Sequence, residues 1–308
     1  MSAGPPSGDI VTALGIAGIG SWGRNLVRVF DELADVRRCC HTGNPASTAW
    51  LETEYPEIER TTDFERLLDD DTDAVVIATP IDTLADLTER AVAAGKDVYV
   101  EKPMAATPAE AHAIADAAAE QDVLVFVGYI FVHHPLFRRL RGNVDRAGIE
   151  QVRFEWHTLG TFGPELVNNL ACHPLSVAID WFGPPDTVSR VESFPGDTDP
   201  DVLGLELTYE GARCTVRLDR LSPEKSYRLR CYTQEGGCHV ATDDSYAVFD
   251  RHEERFEEDN EMAVDPLTTE CQRFLRARRG ETAPITTATF GASVADVLKR
   301  VRDVATCE

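Results

Sequence analysis

A two-domain α/β chain is predicted: a doubly wound parallel sheet at the N-terminus, then an α+β domain built on a largely antiparallel sheet. Three features of the 308 residues predict it. A glycine-bearing turn, Gly15-Ile-Ala-Gly18-Ile-Gly20-Ser-Trp-Gly23, lies between an apolar run and the amphipathic Asn25-Leu-Val-Arg-Val-Phe30. Short apolar runs then alternate with helical patterns as far as Gly128. Beyond Gly128 the pattern changes to alternating strands joined by glycine turns.

The runs at residues 11–17, 36–40, 74–78, 98–100 and 123–127 are nearly continuous in apolar side chains, as parallel strands covered on both faces must be. Residues 84–94, closed by Gly95, and 108–121, with Thr107 as N-cap, have helical periodicity. Thr79-Pro80 and Glu101-Lys102-Pro103 each follow a strand, which places them on the rim where doubly wound sheets bind ligands. In the second half, helical signals occupy 135–140, 173–182 and 266–279, and alternating strands occupy 151–159, 202–209, 213–218 and 228–232. Tyr209-Glu-Gly-Ala212 and Gln234-Glu-Gly-Gly237 read as hairpin turns. The expected organisation is a flexible leader (1–10), a dinucleotide-binding Rossmann domain (11–128), an α+β domain for substrate and oligomerisation (129–290) and a C-terminal helix (291–308) packing back on the first domain.

The glycines have separate physical tasks. Gly18 permits the tight turn, Gly20 lets the backbone approach a pyrophosphate, and Gly23 lets helix and strand pack closely. The following helix offers its unpaired N–H groups and positive dipole end to that pyrophosphate. Ser21 and Trp22, inside the turn, join the cofactor-binding set.

The formal net charge is −23, spread along the chain in clusters such as Leu68-Asp-Asp-Asp71. Such a field repels nucleic acid and anionic membranes, so neither is an expected partner. Lys96, Lys102, Lys225 and Lys299 are the only lysines, and acid excess with scarce lysine resembles adaptation to high salt, where screening removes self-repulsion. The eight cysteines form no C-x-x-C pair and no metal-ligand spacing, and adjacent Cys39 and Cys40 suit buried reduced thiols. With no apolar run of membrane-spanning length and no signal-peptide pattern at residues 1–9, a cytoplasmic location is expected.

Gly18-Ile-Gly-Ser-Trp-Gly-Arg-Asn-Leu-Val-Arg-Val-Phe30, Ala78-Thr-Pro80, Ala94-Gly-Lys-Asp-Val-Tyr-Val-Glu-Lys-Pro103 and His173-Pro-Leu-Ser176 follow the order of motifs in the glucose-fructose oxidoreductase/inositol dehydrogenase (Gfo/Idh/MocA) family, which the chain resembles over nearly its whole length. The Trp-Gly-Arg-Asn run and Asp265-Pro-Leu-Thr-Thr-Glu-Cys-Gln-Arg-Phe-Leu275 look most like its branch of UDP-N-acetyl-hexosamine(uronate) 3-dehydrogenases. The resemblance implies an NAD(P)-dependent oxidoreductase moving a hydride between nicotinamide and a ring secondary alcohol of a sugar, nucleotide sugar or cyclic polyol. It also implies a homo-oligomer, dimer or tetramer, formed through the second-domain sheet. An NAD-dependent glycosidase and a non-catalytic dinucleotide-binding protein are the alternatives.

By the same resemblance Lys102 is a catalytic-site residue. Its ammonium, on a loop stiffened by Pro103 through a candidate cis bond, would orient a substrate hydroxyl and stabilise oxyanion character as hydride leaves. Glu101 would position the loop and the nicotinamide end, and Thr79 and Pro80 would shape the loop beneath the ring. His173 is the candidate general base, since neutral imidazole accepts a proton near physiological pH. Asn169 stands where many relatives have an aspartate; it can hold a hydroxyl but not take its proton. Leu84 likewise replaces a histidine.

NAD enzymes place an acid roughly 20 residues beyond the glycines to bind the ribose hydroxyls. Here the second strand ends in Cys40-His41-Thr42-Gly43-Asn44, without one, which leans toward NADP over NAD. Thr42, Asn44, His41 and Arg38 are candidate donors to a 2′-phosphate, and Thr42 and Asn44 equally fit a turn cap. His133 and His134 fit either a substrate pocket or a structural role.

Overall fold

The computed structural model describes residues 11–159, 166–197, 199–242, 244–250, 255–259 and 265–306. The expected leader, 1–10, lies outside them. The chain divides into two compact units that do not follow one cut: 1–101, 114–126 and 271–284 form the first, and the remaining three segments form the second.

In the first unit, β1 (Ala13–Ala17), β2 (Asp35–Cys40), β3 (Glu59–Thr61), β4 (Ala74–Ile77), β5 (Asp97–Glu101) and β6 (Val125–Gly128) line up as β3-β2-β1-β4-β5-β6. β1 pairs in parallel with both β2 and β4, and every residue of β1 and β4 is buried, which explains their unbroken apolar runs. The helix α1 (Ser21–Leu33) buries Leu26, Val27, Val29 and Phe30 and leaves its opposite face to solvent. Two elements went unread in the sequence: α2 (Pro45–Glu54), which buries only Ser47 and Leu51, and β3, three residues long with no buried side chain. Neither has enough apolar surface to produce a period. The helix α3 (Ile81–Ala93) ends against Gly95 in the left-handed region, as its glycine predicts. In α4 (Pro108–Gln121), Thr107 and Glu110 form a reciprocal capping box, Glu110 N donating to Thr107 Oγ1 at 3.3 Å and Thr107 N to Glu110 Oε2 at 2.9 Å.

The core of this unit is closed by a residue from late in the chain. Phe274, in α8 (Pro266–Arg278), meets Phe30, Tyr99 and Phe126 at ring-centroid distances of 6.1, 5.7 and 5.8 Å, all edge to face. Arg278 anchors the same segment to Asp97 at 3.2 Å and Asp73 at 3.3 Å. Phe274→Ala should therefore lower stability by about 3–5 kcal/mol, measured by urea denaturation. A loss below about 1 kcal/mol would mean that the core closes without it.

The second unit holds α5 (Ile130–His133), α6 (Pro135–Asn143), α7 (Cys172–Phe182), α9 (Ala288–Thr306) and strands β7 (Ile149–Leu159), β8 (Thr187–Phe194), β9 (Val202–Tyr209), β10 (Ala212–Asp219), β11 (Leu221–Thr233), β12 (Gly237–Thr242), β13 (Tyr246–Asp250) and β14 (Arg255–Asp259). Among the described residues these strands make one sheet in the order β14-β13-β12-β11-β7-β10-β9-β8. It is antiparallel except where β10 runs parallel to β7. The β9–β10 and β11–β12 hairpins turn at Gly211 and Gly236, both at positive φ, as the two glycine motifs predict. Strand β8 is largely exposed and β12 and β13 are largely half-exposed, and none of the three was legible as apolar alternation. The helix α7 is buried on all sides apart from Asp180, which marks it as the central helix of the unit. The helix α9 contacts α7 and β8 and also the 102–113 segment grouped with it, where Asp296 lies 3.0 Å from His112 Nε2 and Arg302 donates to the Ala106 carbonyl at 3.4 Å. Its amphipathic period specified a buried stripe but not the partner.

Candidate active site

In the first unit the three glycines are required for three different reasons. Gly18 sits at φ +92°, and a Cβ there would lie 2.4 Å from the Ala78 carbonyl oxygen. Its N–H donates to the Cys40 carbonyl at 3.0 Å, so the turn is pinned between the ends of β2 and β4. A Cβ on Gly23 would lie 1.8 Å from the Gly18 oxygen, whereas one on Gly20 would meet nothing within 4 Å. Gly20 thus faces open space at the N-terminus of α1, whose cap makes no side-chain hydrogen bond. This cradle fits a pyrophosphate: open at the one glycine that must face it, backed by N–H groups and a helix dipole.

Trp22 and Glu101 connect that loop to the end of β5. Trp22 Nε1 donates to Glu101 Oε1 at 2.5 Å, and the Tyr99 hydroxyl donates to the same oxygen at 3.4 Å. Glu101 is buried and accepts both bonds. Ser21 is exposed beside Trp22. Pro80 caps α3, and Thr79 accepts a hydrogen bond from the Thr83 hydroxyl at 2.9 Å. Leu84 is buried on α3, where an imidazole would need a partner.

At the end of β2 two candidate phosphate ligands are already committed. Arg38 is bidentate to Asp71 at 2.6 and 2.9 Å and bonded to Glu59 at 2.8 Å, contacts that hold its guanidinium charged and in place. Asn44 accepts from Ala46 N at 2.9 Å as the cap of α2, so the turn-cap reading holds for it. His41 Nδ1 accepts from Gly43 N at 3.0 Å, and Thr42 is exposed.

The second unit gathers Lys102, Asn169 and His173. The Lys102–Pro103 bond is cis. Lys102 Nζ donates to the main-chain carbonyl of Asn169 at 3.1 Å, and Cys172 Sγ lies 3.6 Å from the same oxygen. Residues Val167–Ala171 form a π-helical turn, the kind of irregularity that frees carbonyls from the α ladder. The Lys102 contact is therefore to a group any residue would supply, and the replacement of aspartate by Asn169 leaves it unchanged. His173 opens α7 with its ring between Phe131 and Trp156, at centroid distances of 4.9 and 5.2 Å. Its Nδ1 is buried and has no hydrogen-bond partner among the described residues. Burial, then the nearby Lys102 charge, push its pKa well below the ordinary 6.5.

Sequence reading missed Phe131 and Trp156. The alternation of β7 gave a usable signal for Trp156, since it shares the buried face with Val152 and Phe154. The other histidines have local duties: His133 Nε2 is 3.1 Å from Thr286 Oγ1, His134 caps α6 through its bond from Leu136 N at 3.3 Å, and His239 bonds the Tyr246 hydroxyl at 2.9 Å. His133 and His134 are thus buried and hydrogen-bonded, while His252 lies outside the described residues. Among the described residues no group of three metal-capable side chains assembles, and no helix is long and apolar enough to cross a membrane.

The depressed imidazole pKa has a definite sign. Above about pH 6.5 both folded and unfolded chains carry it neutral. Below that value the unfolded chain takes up the proton first, so the stability His173 contributes is lost as pH falls. A His173-dependent rate should stay flat through pH 6.5 and decline only at more acid values. An acid limb in kcat/KM centred at or above 6.5 would assign the proton acceptor to another group.

A parallel sheet with this strand order and a glycine turn opening its first helix defines a dinucleotide-binding Rossmann unit. Over residues 12–129 the chain matches the GFO_IDH_MocA family (oxidoreductase family, NAD-binding Rossmann fold). Its relatives include a dTDP-3,4-didehydro-2,6-dideoxy-α-D-glucose 3-reductase of Streptomyces violaceoruber, 41% identical over 83 residues covering 27% of this chain and 24% of that protein. An inositol 2-dehydrogenase of Rhizobium meliloti is 37% identical over 82 residues, 27% of this chain and 25% of that protein. These alignments span about a quarter of either relative. The crystal structure of UDP-N-acetylglucosamine 3-dehydrogenase from Acidithiobacillus ferrooxidans superposes with a TM-score of 0.87 at 22% identity, over 96% of this chain and 98% of that one, which establishes the shared fold.

Proposed function

We propose that the protein is an NAD(P)-dependent oxidoreductase acting on a ring secondary alcohol, or the matching ketone, of a sugar, nucleotide sugar or cyclic polyol. The observation that carries this reading is the convergence of Lys102 with a buried imidazole held neutral, His173. The open cradle at Gly20 supports a bound dinucleotide, and the activities named for the 3-reductase and the inositol dehydrogenase support the substrate class.

When bound, the nicotinamide accepts or supplies the hydride. Lys102 Nζ, held by the Asn169 carbonyl, orients the substrate hydroxyl and stabilises negative charge on its oxygen. His173 accepts the hydroxyl proton at its ring nitrogen without hydrogen, and returns it in reduction. Glu101 and Trp22 hold the cradle loop in place. NADP is the favoured cofactor, because no acid follows β2. Exposed Val191, Phe194 and Leu221 on the second-unit sheet support a homo-oligomer.

The test is net NAD(P)H formation across a panel of sugars, nucleotide sugars and inositols, followed by absorbance. Turnover with one class establishes the reading. Release of an aryl glycoside leaving group without net reduction would make the protein a glycosidase; cofactor binding without either activity would make it a binding protein.

A further inference from the structure

Removing Arg38 and Asn44 from the candidates leaves the question of which group meets a 2′-phosphate. At net charge −23 the molecule's field disfavours an added dianion, so a fixed local cation is needed. Arg24 follows Gly23 on α1 and reaches across to the start of α2. Its Nη2 donates to the Ala46 carbonyl at 3.0 Å, and its guanidinium carbon lies 5.1 Å from the centroid of the Trp50 ring. Ser47 Oγ donates to the Ile19 carbonyl at 2.8 Å, which ties the same end of α2 to the glycine turn. The arginine fork thus stands beside the connection from β2 to α2, the segment from which such folds read the adenosine ribose. From His41 through Leu51 that connection and helix contain no carboxylate.

We propose that Arg24 is the residue that selects NADP, binding the 2′-phosphate with the guanidinium Nη N–H groups not used on Ala46, its Nε being buried. The proposal rests on the dinucleotide reading above. Arg38 has its fork filled by Asp71 and Glu59, whereas Arg24 has one hydrogen-bond partner among the described residues, and that partner is a neutral carbonyl. Trp50 supports the guanidinium plane without neutralising its charge. A planar fork is suited to two phosphate oxygens at once, which the ammonium of a lysine is not.

The experiment is isothermal titration of the full chain with NADP+ and with NAD+, for the wild type, Arg24→Gln and Arg24→Lys. The wild type should bind NADP+ more tightly. Arg24→Gln should weaken NADP+ by about tenfold to a hundredfold, the range for hydrogen bonds to a charged group, and leave NAD+ within about twofold. Arg24→Lys should fall between, keeping the charge and losing the fork; it decides the matter if the glutamine variant melts early. Equal weakening of both cofactors would reduce Arg24 to a structural contact of Trp50 and Ala46. Unchanged NADP+ affinity, or a wild type preferring NAD+, would overturn the assignment while leaving the dinucleotide reading intact. A wild type that binds neither cofactor would overturn both.

Discussion

Replacing Lys102 by Met, and separately His173 by Ala, is expected to lower turnover by about 10²–10⁴-fold each while cofactor affinity stays close to that of the wild type. Lys102 loses a cation held on the Asn169 carbonyl, and His173 loses a neutral base in an aromatic enclosure. Neither side chain is in the glycine cradle, so the pyrophosphate contacts survive. The double variant should lose less than the product of the two effects, because groups that act on one hydroxyl lose most of their benefit together. His173→Ala also opens space between Phe131 and Trp156, so His173→Gln, which fills more of it, separates lost packing from lost chemistry. Near-native turnover in Lys102→Met and His173→Gln would place the chemistry elsewhere in the second unit.

Gly20→Val should abolish dinucleotide binding in a chain that melts at the wild-type temperature, whereas Gly23→Ala should lose stability first. The difference follows from what each new side chain would meet. At Gly20 there is nothing within 4 Å, and the backbone is extended at φ −77°, which valine tolerates. Its branches would then occupy the space the pyrophosphate needs. At Gly23 the Cβ would fall 1.8 Å from a backbone oxygen that cannot rotate away, so α1 or the turn must shift. The cost should reach or exceed the about 1–3 kcal/mol of ordinary overpacking. Calorimetry of both variants, with cofactor titration of Gly20→Val, checks the pair. Undiminished affinity in Gly20→Val would remove the cradle from the binding site.

The asymmetry between the two units follows from how each buries its residues. Strands β1 and β4 are enclosed on both faces, so their apolar runs were continuous and could be placed in order from sequence. Strands β12 and β13 are half-exposed, and their weak alternation hid them until they were seen paired to β11. The cap at Thr107 and the glycine turns at Gly211 and Gly236 depend on neighbours a few residues away, and they occur where sequence put them.

By itself, then, the sequence determined what local chemistry controls: the glycine turn between strand and helix, the positions along the chain of five of the parallel strands, the hairpins, and the presence of Lys102 and His173 as chemistry-bearing side chains. Only the tertiary structure decided which partners each acquired. It committed Arg38 to Asp71 and Glu59, turned Asn44 into a helix cap, and presented the carbonyl rather than the identity of Asn169 to Lys102. It set Phe131 and Trp156 around His173 and brought Phe274 back to the first core. The physical reason is range. Backbone torsion and helix capping are settled within a few residues, whereas ion pairing, desolvation and ring packing depend on segments up to 244 positions apart, as Phe30 and Phe274 are, meeting only when the chain has folded.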